Sequence, residues 1–445
     1  MFCFGGYVIL SGFDDGPTVR GGWIAVEDGT KRFLGLTLLC LAGFLSCAKE
    51  KVVTLNYLEV MTNPARTEAL RGIIAKYQAA HPGIKINLIS PPYEQADNRL
   101  ERAFASKEAL DIVEIRDITA SRHVAHGRLT DLTPYLAEWP EAKTLLPVAV
   151  EMAKVADGKP YFIPQFFYIP ALYVRTDVLS RLGVTVLPDT IDGLFALCKQ
   201  ITNQQAGQYG FAIRGKANPF RPADLLILSN VNNVNPDNLY RLKDGTSVFH
   251  SPEYLAAFIQ YVDLFQKAVP QDGVNWGFSE QLHSFAAGTT PFLMQDPDAV
   301  PVIDKQITRD QFTVVPMPVG RSDCFYYEPG FAGFGIPEYS PNKDAAWDFI
   351  AFISSAAQNG PFNKAYGALP VHSTSYEEDP YFCSGIYQAW AAMMADPVKY
   401  AVVHYPYSAA QYPGWAQVHE DQLRAAFLKE ITPAKAVQVY EEYWK

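Results

Sequence analysis

Segments typical of strands alternate with segments typical of helices over residues 51–132, with short joins between them. "KVVTLNYLEV" (51–60) is rich in β-branched and aromatic residues and predicts a buried strand. The apolar residues from Leu70 to Tyr77 then follow helical spacing up to Pro82. "GIKINLIS" and "DIVEIRD" predict two more strands on either side of a second helix. Such alternation is typical of βαβ units, so we expect an α/β fold with a mainly parallel sheet flanked by helices.

Helix start signals continue into the second half of the chain. Asp189 or Thr190 precedes an apolar helical face and predicts a helix cap. Three pairs place a hydroxyl residue before proline, which is the arrangement of a helix N-cap followed by the first helical residue: Ser251–Pro252, Ser340–Pro341 and Thr432–Pro433. We therefore expect a helix to start at each of these points.

Length and charge limit the classes of protein to consider. About 400 residues follow Cys47, which is too long for one compact core and indicates two domains. The formal net charge of -10 and the absence of a basic patch argue against a nucleic-acid partner. Three cysteines lie in the body of the chain (Cys198, Cys324 and Cys383) and no CxxC pair occurs, which argues against a zinc knuckle or a disulfide framework. Whether any two of them form a disulfide is left open.

The segment "KRFLGLTLLCLAGFLSCAKE" (31–50) predicts a signal for export. Lys31 and Arg32 precede fourteen mostly apolar residues, which as a helix would span about 21 Å against a hydrocarbon core of about 30 Å. A cleaved signal therefore fits better than a transmembrane helix. "GFLSC" resembles a bacterial lipobox and predicts a lipid on Cys47. An ordinary signal peptide cut near Cys47, or a buried apolar segment, is the alternative.

Residues 1–30 precede this signal and are Gly-rich without a clear period. A signal normally starts at the N-terminus, so we expect the true start to lie later, at Val26 through a GTG codon. Residues 1–46 are accordingly interpreted as a leader that lies outside the folded domains.

Several motifs occur in the order found in one known family. They are "DIVEI" with "HVAHGRLTDLTPYL" (111–136), "DGKPYFIPQFFYIPALYVRTDVLSRLGV" (157–184), "FAAGTTPFLMQDP" (285–297), "FTVVPMPVG" (312–320) and "GFAGFGIPEYSPNKDAAWDFIAFI" (330–353). In these motifs, over residues 50–445, the chain resembles the extracellular solute-binding proteins of bacterial ATP-binding-cassette (ABC) importers. The similarity is to the carbohydrate-type group that includes maltose-binding protein. Ile191 and "QDPDA" (295–299) depart from the family pattern and leave the ligand class open.

The resemblance implies a two-lobed α/β fold with a ligand cleft between the lobes. Each lobe would be a mainly parallel sheet flanked by helices. The first lobe would comprise residues 47–170 plus 332–378, and the second 171–331 plus 379–445. The chain would cross between them near Tyr168–Ala171, Ala332–Gly335 and Tyr376–Pro380.

The resemblance also implies a function. The protein would be a lipid-anchored component of an ABC importer, held at the outer face of the cytoplasmic membrane or in the periplasm. It would bind a small solute, expected to be a mono- or oligosaccharide, by lobe closure, as a monomer, and pass it to the permease. No covalent chemistry, cofactor or metal is expected. The alternatives are a glycerol phosphate or polyamine ligand on the same fold, a ligand sensor for a membrane receptor, and a glycoside-acting enzyme.

Sugar recognition needs flat apolar faces and planar polar side chains. The stacking candidates are Tyr168, Trp276, Phe331, Tyr366, Tyr412 and Trp415, and the polar candidates are Glu59, Arg116, Asp117, Gln165, Gln295 and Asp296. The resemblance places Tyr168, Gln295 and Asp296 at strand ends that face the cleft. Trp415 precedes a predicted helix with a buried face and could instead belong to the core.

The alternatives depend on other residue sets. A phosphate ligand would use arginines, for which Arg116, Arg214 and Arg221 are candidates. A glycosidase would need two facing carboxylates, available among Glu59, Asp117, Asp296 and Asp298, but any acidic chain offers such pairs. His123 and His126 lie three residues apart, which is more typical of a solvated helix face than of a metal site.

Overall fold

A computed structural model describes residues 52–62, 64–155, 157–216 and 219–445. The leader, the export signal, the lipid site at Cys47 and the later start at Val26 all lie outside the described residues, and they stay predictions.

Helices and short strands are interspersed along the described residues. The α-helices are α1 (Pro64–Ala80), α2 (Tyr93–Ser106), α3 (Asp117–Ala125), α4 (Thr133–Glu138), α5 (Pro147–Ala153), α6 (Thr176–Arg181), α7 (Ile191–Ile201), α8 (Phe220–Leu228), α9 (Pro252–Ala268), α10 (Phe278–Ala286), α11 (Val300–Ile303), α12 (Lys343–Ser354), α13 (Ala356–Tyr366), α14 (Ser373–Glu378), α15 (Gln388–Ala395), α16 (Tyr412–Phe427) and α17 (Pro433–Tyr443). The strands are β1 (Val53–Leu58), β2 (Ile84–Ile89), β3 (Ile112–Arg116), β4 (Lys154–Val155), β5 (Lys159–Pro160), β6 (Phe162–Tyr168), β7 (Ala171–Val174), β8 (Phe211–Ala212), β9 (Val234–Asn235), β10 (Asn238–Leu242), β11 (Phe292–Gln295), β12 (Thr313–Val315), β13 (Phe325–Tyr327), β14 (Gly330–Gly335) and β15 (Tyr400–Val402).

The first sheet has the strand order β2-β1-β3-β14-β6. β1 pairs in parallel with β2 and β3, and β14 runs antiparallel between β3 and β6. Four of its strands therefore point the same way and β14 is reversed. The strands predicted near residues 51–60, 83–90 and 111–117 are confirmed.

The second sheet has the order β12-β7-β11-β8, in which β7 is the reversed strand. The chain leaves the first sheet at Tyr168 and enters the second at Ala171, and it is back in the first sheet from Gly330. We call the elements packed on the first sheet the first lobe and those packed on the second sheet the second lobe. The residue boundaries inferred for the lobes from the sequence stay a prediction.

Apolar residues alternate between the two faces of the first sheet, with the period of two expected for strands. On β1, Leu55 and Tyr57 join one buried cluster, while Leu58 joins the cluster on the opposite face. A third and larger cluster fills the second lobe. Burial on both faces explains why β1 reads as a near-continuous apolar run in the sequence.

Three of the predicted helix starts are confirmed and one is wrong. The side chains of Thr190, Ser251 and Thr432 accept hydrogen bonds from backbone N–H groups at the starts of α7, α9 and α17. α12 starts at Lys343, two residues later than predicted. The Ser340 hydroxyl accepts from the backbone N–H of Asn342 at 3.1 Å, which lies in the turn before the helix, and donates to Oδ1 of Asp111 at 2.7 Å.

Three further observations bear on the sequence predictions. Cys198, Cys324 and Cys383 are free thiols. His123 is fully buried, and the described residues hold no group of three or more His, Cys, Asp or Glu side chains that could bind a metal ion. Among the same residues, we find no helix with the length and apolar character needed to span a bilayer.

Candidate ligand-binding site

A cavity of ≈ 560 Å³ lies between the lobes, at the edge where strands of both sheets end. The carboxyl end of β3 supplies Arg116 and Asp117, and that of β11 supplies Gln295 and Asp296. β14 is reversed, so its amino end brings Phe331 to the same edge. Ligands of open α/β sheets bind outside the carboxyl ends of the strands. The lining residues are Met61, Thr62, Tyr93, Arg116, Asp117, Phe166, Tyr168, Pro170, Arg214, Arg221, Pro222, Leu225, Phe278, Gln281, Met294, Gln295, Asp296, Asp298, Glu328, Gly330, Phe331 and Tyr366.

Aromatic rings form one wall of the cavity. The ring of Phe166 lies 5.2 Å from those of Tyr168 and Tyr366, and the two tyrosine rings are 6.2 Å apart. Phe331 stacks on Phe162, with ring centroids 5.4 Å apart and planes within 11°. Tyr168, Phe331 and Tyr366 are only half-buried. Each therefore keeps surface that a ligand can cover, as flat apolar groups in binding sites do.

A charged cluster connects the two lobes beside this wall. Nη2 of Arg221 on α8 lies 2.5 Å from Oε2 of Glu328 and 3.6 Å from Oδ2 of Asp117, which belongs to the first lobe. Arg221 also donates to the hydroxyl of Tyr407 at 2.7 Å, and that hydroxyl donates to Glu328. Burial raises the pKa of Glu328, and the Arg221 charge opposes that shift.

Asp296 and Asp298 lie on the turn that follows β11. The hydroxyl of Tyr173 donates to the backbone oxygen of Asp296 at 2.7 Å. The backbone N–H of Asp296 donates to Oε1 of Gln295 at 3.0 Å. Burial raises the pKa of Asp296 to about 6 and that of Asp298 to about 7, and the Arg214 charge lowers both. Oδ1 of Asp298 is shielded from solvent and has no hydrogen-bond partner among the described residues.

A buried ion cluster supports the cavity from beneath, in the first lobe. Nη1 of Arg66 donates to Oε1 of Glu59 at 2.8 Å, and its Nη2 donates to Glu114. All three side chains are fully buried. Glu114 also accepts from the backbone N–H of Met61 at 2.7 Å, and the guanidinium carbon of Arg66 lies 5.6 Å from the ring centroid of Tyr366. The cluster thus contacts two segments that line the cavity.

The structure brings seven of the residues proposed from the sequence together around the cavity. They are Arg116, Asp117, Tyr168, Gln295, Asp296, Phe331 and Tyr366. Arg116 also forms an ion pair with Asp97 at 2.9 Å, and its guanidinium lies 5.2 Å from the ring centroid of Tyr93. That these side chains bind ligand stays a prediction.

Five proposed residues lie outside the cavity lining: Glu59, Gln165, Trp276, Tyr412 and Trp415. Glu59 is held by Arg66, and Gln165 donates to the hydroxyl of Ser354 in the core. The indole N–H of Trp276 donates to Asp272, while Tyr412 packs on Tyr407. Trp415 lies within α16, not before it as the sequence had suggested, and is fully buried.

Some residues that line the cavity were not proposed from the sequence. Others were proposed only for alternative ligands or activities. Tyr93 and Phe278 start α2 and α10, and Gln281 follows one turn into α10. Tyr93 follows a predicted strand, so its position could have indicated a place at the cavity. No pattern in the long middle region indicates the same for Phe278. Three more residues line the cavity although the sequence suggested them only for phosphate or glycosidase alternatives: Arg214, Arg221 and Asp298.

The chain is similar in sequence to known proteins. The family model for bacterial extracellular solute-binding proteins matches residues 63–360. A protein of Brucella abortus (strain 2308) described as a binding protein is 23% identical over 392 residues, covering 86% of this chain and 89% of that one. A protein of Deinococcus radiodurans described as a probable ABC transporter-binding protein is 23% identical over 407 residues, covering 85% and 92%.

Solved structures show the same fold. Maltose-bound MalE3 of T. maritima superposes with a TM-score of 0.71 at 22% identity, covering 88% of this chain and 99% of that one. The sugar-binding protein MalE of Xanthomonas citri gives 0.74 at 18% identity, covering 88% and 98%. A solute-binding protein of Agrobacterium vitis with bound D-mannitol gives 0.68 at 20% identity, covering 88% and 97%. At these identities the likeness concerns the fold, which is two-lobed.

Proposed function

The chain belongs to the family of bacterial extracellular solute-binding proteins, and we propose that it binds a small carbohydrate or polyol for an ABC importer. The observation that carries this proposal is the cavity between the lobes, where half-buried aromatic rings lie beside carboxylates and guanidinium groups. Rings cover the C–H faces of a sugar, and charged oxygens and nitrogens bind its hydroxyls. Structural relatives hold maltose and D-mannitol, which present such groups.

Closure of the lobes would follow from the division of the site between them. The first lobe supplies Tyr168 and Tyr366, and the second supplies Asp296 and Asp298. A ligand shifts a conformational equilibrium only through its different affinity for the two states. A solute that contacts both halves binds best when they are close together, and the permease would recognise that conformation.

Export and membrane attachment complete the proposal. A family of extracellular proteins acts outside the cytoplasm, and the predicted lipid on Cys47 would hold this chain at the membrane surface near its permease. The protein would act as a monomer and release its ligand chemically unchanged, so it would not be an enzyme.

Isothermal titration calorimetry of the purified protein tests the proposal. The panel would contain maltose, D-mannitol, glycerol 3-phosphate and putrescine, with each ligand analysed after release. A bound sugar or polyol recovered unchanged supports the proposal. Cleavage of the sugar, or binding of glycerol 3-phosphate alone, contradicts it. Thermal unfolding gives a second readout, since a ligand at 100 times its Kd adds about 2.7 kcal/mol to the free energy of unfolding.

A further inference from the structure

One corner of the cavity combines carboxylates with aromatic rings across the two lobes. Gly367 directly follows Tyr366, and its backbone packs against the second lobe so closely that a Cβ there would lie 3.4 Å from Cα of Asp298. The backbone of Asp298 therefore lies against the residue that follows Tyr366. Burial and then the charge of Asp298 raise the pKa of Tyr366, and the same charge acts on Tyr168. We call Asp296, Asp298, Tyr168 and Tyr366 the acid corner.

The arginines near the acid corner do not neutralise it. Arg116 is paired with Asp97 at 2.9 Å, and Arg221 is shared by Glu328 and Asp117. Of the arginines that line the cavity, Arg214 remains, and its Nε donates to Oε1 of Gln281 at 3.3 Å. Among the described residues, neither Asp296 nor Asp298 has a basic group within the 4.0 Å of an ion pair.

The balance of charge around the cavity is therefore negative. In the acid corner, the charge of Arg214 acts on both carboxyl groups and that of Arg221 acts on Asp296. Arg221 also pairs with Asp117 and Glu328, so four carboxyl groups share the two guanidinium groups of Arg214 and Arg221. An anionic ligand would add to this excess, and a neutral one would leave it uncompensated.

We propose that the acid corner binds an ammonium group, so that the solute is an amine-bearing carbohydrate. This inference rests on the proposed function and narrows its ligand class. A protonated amine donates three hydrogen bonds, which suits the unpartnered Oδ1 of Asp298. It is also attracted to the faces of tyrosine rings, which Tyr168 and Tyr366 provide. A hydroxyl group could donate a hydrogen bond to Asp298, but it would not balance the negative charge of the acid corner.

The protonation of the corner agrees with this geometry. Because the pKa of Asp296 is raised to about 6 and that of Asp298 to about 7, the empty corner retains protons at mildly acid pH. Binding of an ammonium group then competes with those protons. Amine affinity should therefore rise with pH from about 5 to about 6.5, where the amino sugar itself stays protonated, whereas the affinity for a neutral sugar should change less.

Calorimetry with matched sugars tests the proposal on the purified protein. The probes are D-glucosamine and its β-1,4-linked disaccharide, their N-acetylated forms, D-glucose and cellobiose, and putrescine as a linear diamine. We expect the free amines to bind at least tenfold more tightly at pH 6.5, where they are protonated, than the N-acetylated and hydroxyl counterparts. Equal or tighter binding of the neutral sugars would overturn the proposal.

A variant and a pH series sharpen the test. Asp298→Asn should reduce the ratio of the affinity for amines to the affinity for neutral sugars at least fivefold. The control Glu378→Gln removes a charge at an exposed position of α14 and should leave that ratio unchanged. If Asp298→Asn does not fold, the same ratio in the unmodified protein should fall between pH 6.5 and pH 5, where the amine stays protonated, and a constant ratio would refute the proposal. Binding of putrescine alone supports the ammonium site but contradicts a carbohydrate ligand. No binding by any of these probes overturns the ammonium site, whereas the proposed function is contradicted only if maltose and D-mannitol also fail to bind.

Discussion

Oδ2 of Asp117 in the first lobe lies 3.6 Å from Nη2 of Arg221 in the second. Asp117 starts α3 directly after β3, and Arg221 lies in the first turn of α8. Because Glu328 holds the same guanidinium at 2.5 Å, Arg221 is fixed in the second lobe and offers its charge to the first. The pair is partly shielded from solvent, so its attraction stabilises the conformation in which the lobes are close together.

The variant Asp117→Asn should shift the ligand-free protein toward a more open conformation. The loss of a partly buried ion pair is worth about 1 kcal/mol, which corresponds to roughly fivefold weaker ligand binding. Small-angle scattering of the ligand-free protein should show a larger radius of gyration, and calorimetry should show the weaker binding. Asp97→Asn, which removes a partner of Arg116 within the first lobe, is the control and should not change the radius. An unchanged radius in Asp117→Asn would mean that the pair does not hold the lobes together.

The variant Tyr366→Ala should weaken ligand binding without unfolding the protein. Its ring is half-buried in the aromatic wall, and the removal of a ring that covers a ligand costs about 1–2 kcal/mol, or roughly 5- to 30-fold in Kd. Calorimetry would measure the change. Tyr135→Ala is a matched control, because Tyr135 stacks on Trp347 outside the cavity lining. Equal effects of the two variants would argue against a direct role of Tyr366 in binding.

Local patterns in the sequence predicted the elements that depend on local physics. β1, β2 and β3 followed from runs of apolar residues, and the caps at Thr190, Ser251 and Thr432 from hydroxyl groups before a helix. The start of α12 was placed two residues too early, because Ser340 and Asn342 both donate side-chain hydrogen bonds to Asp111, which is 229 residues from Ser340 in the chain, and the turn that makes these contacts precedes the helix. A contact between distant segments leaves no trace in a local pattern.

The same distinction holds for the candidate site. Tyr168, Gln295 and Asp296 could be proposed because motifs place them at strand ends. Trp415 and Trp276 have the right chemistry for sugar stacking, but their rings fill the core of the second lobe. No local signal shows whether an aromatic ring faces a cavity or a core, since both environments are apolar on one side.

The contribution of Asp296 and Asp298 to the stability of the ligand-free protein should fall as pH rises from about 4 to about 7. In the folded state the pKa of Asp296 is about 6 and that of Asp298 about 7, whereas an unfolded aspartate has a pKa of about 3.9. Between these values the folded state binds more protons than the unfolded state. The stabilisation is therefore complete below the unfolded pKa and is lost as pH rises through the folded pKa values. Urea unfolding between pH 5 and pH 8 would measure the slope. The wild-type protein should lose more stability with rising pH than Asp298→Asn does, and equal slopes in the two proteins would assign the pH dependence to other groups.

The variant Arg66→Met should destabilise the fold strongly. Arg66 lies between Glu59 and Glu114, all fully buried, so its removal leaves two carboxylates in the core without their main counter-charge. Breaking a buried ion cluster in this way costs about 3–5 kcal/mol, a large part of the roughly 5–15 kcal/mol typical of a folded domain. Urea unfolding at pH 7 would measure the loss.

Arg71→Met provides the matched comparison for this variant, because Arg71 lies on the exposed face of the same helix, 3.6 Å from Glu68. An exposed pair of this kind contributes about 0.5 kcal/mol or less, so the two variants should differ by several kcal/mol. Arg66→Met should also weaken ligand binding in the fraction that stays folded, since Glu114 holds the backbone of Met61 at the cavity and Arg66 lies under the ring of Tyr366. A loss of stability with unchanged affinity would restrict the buried cluster to a structural role.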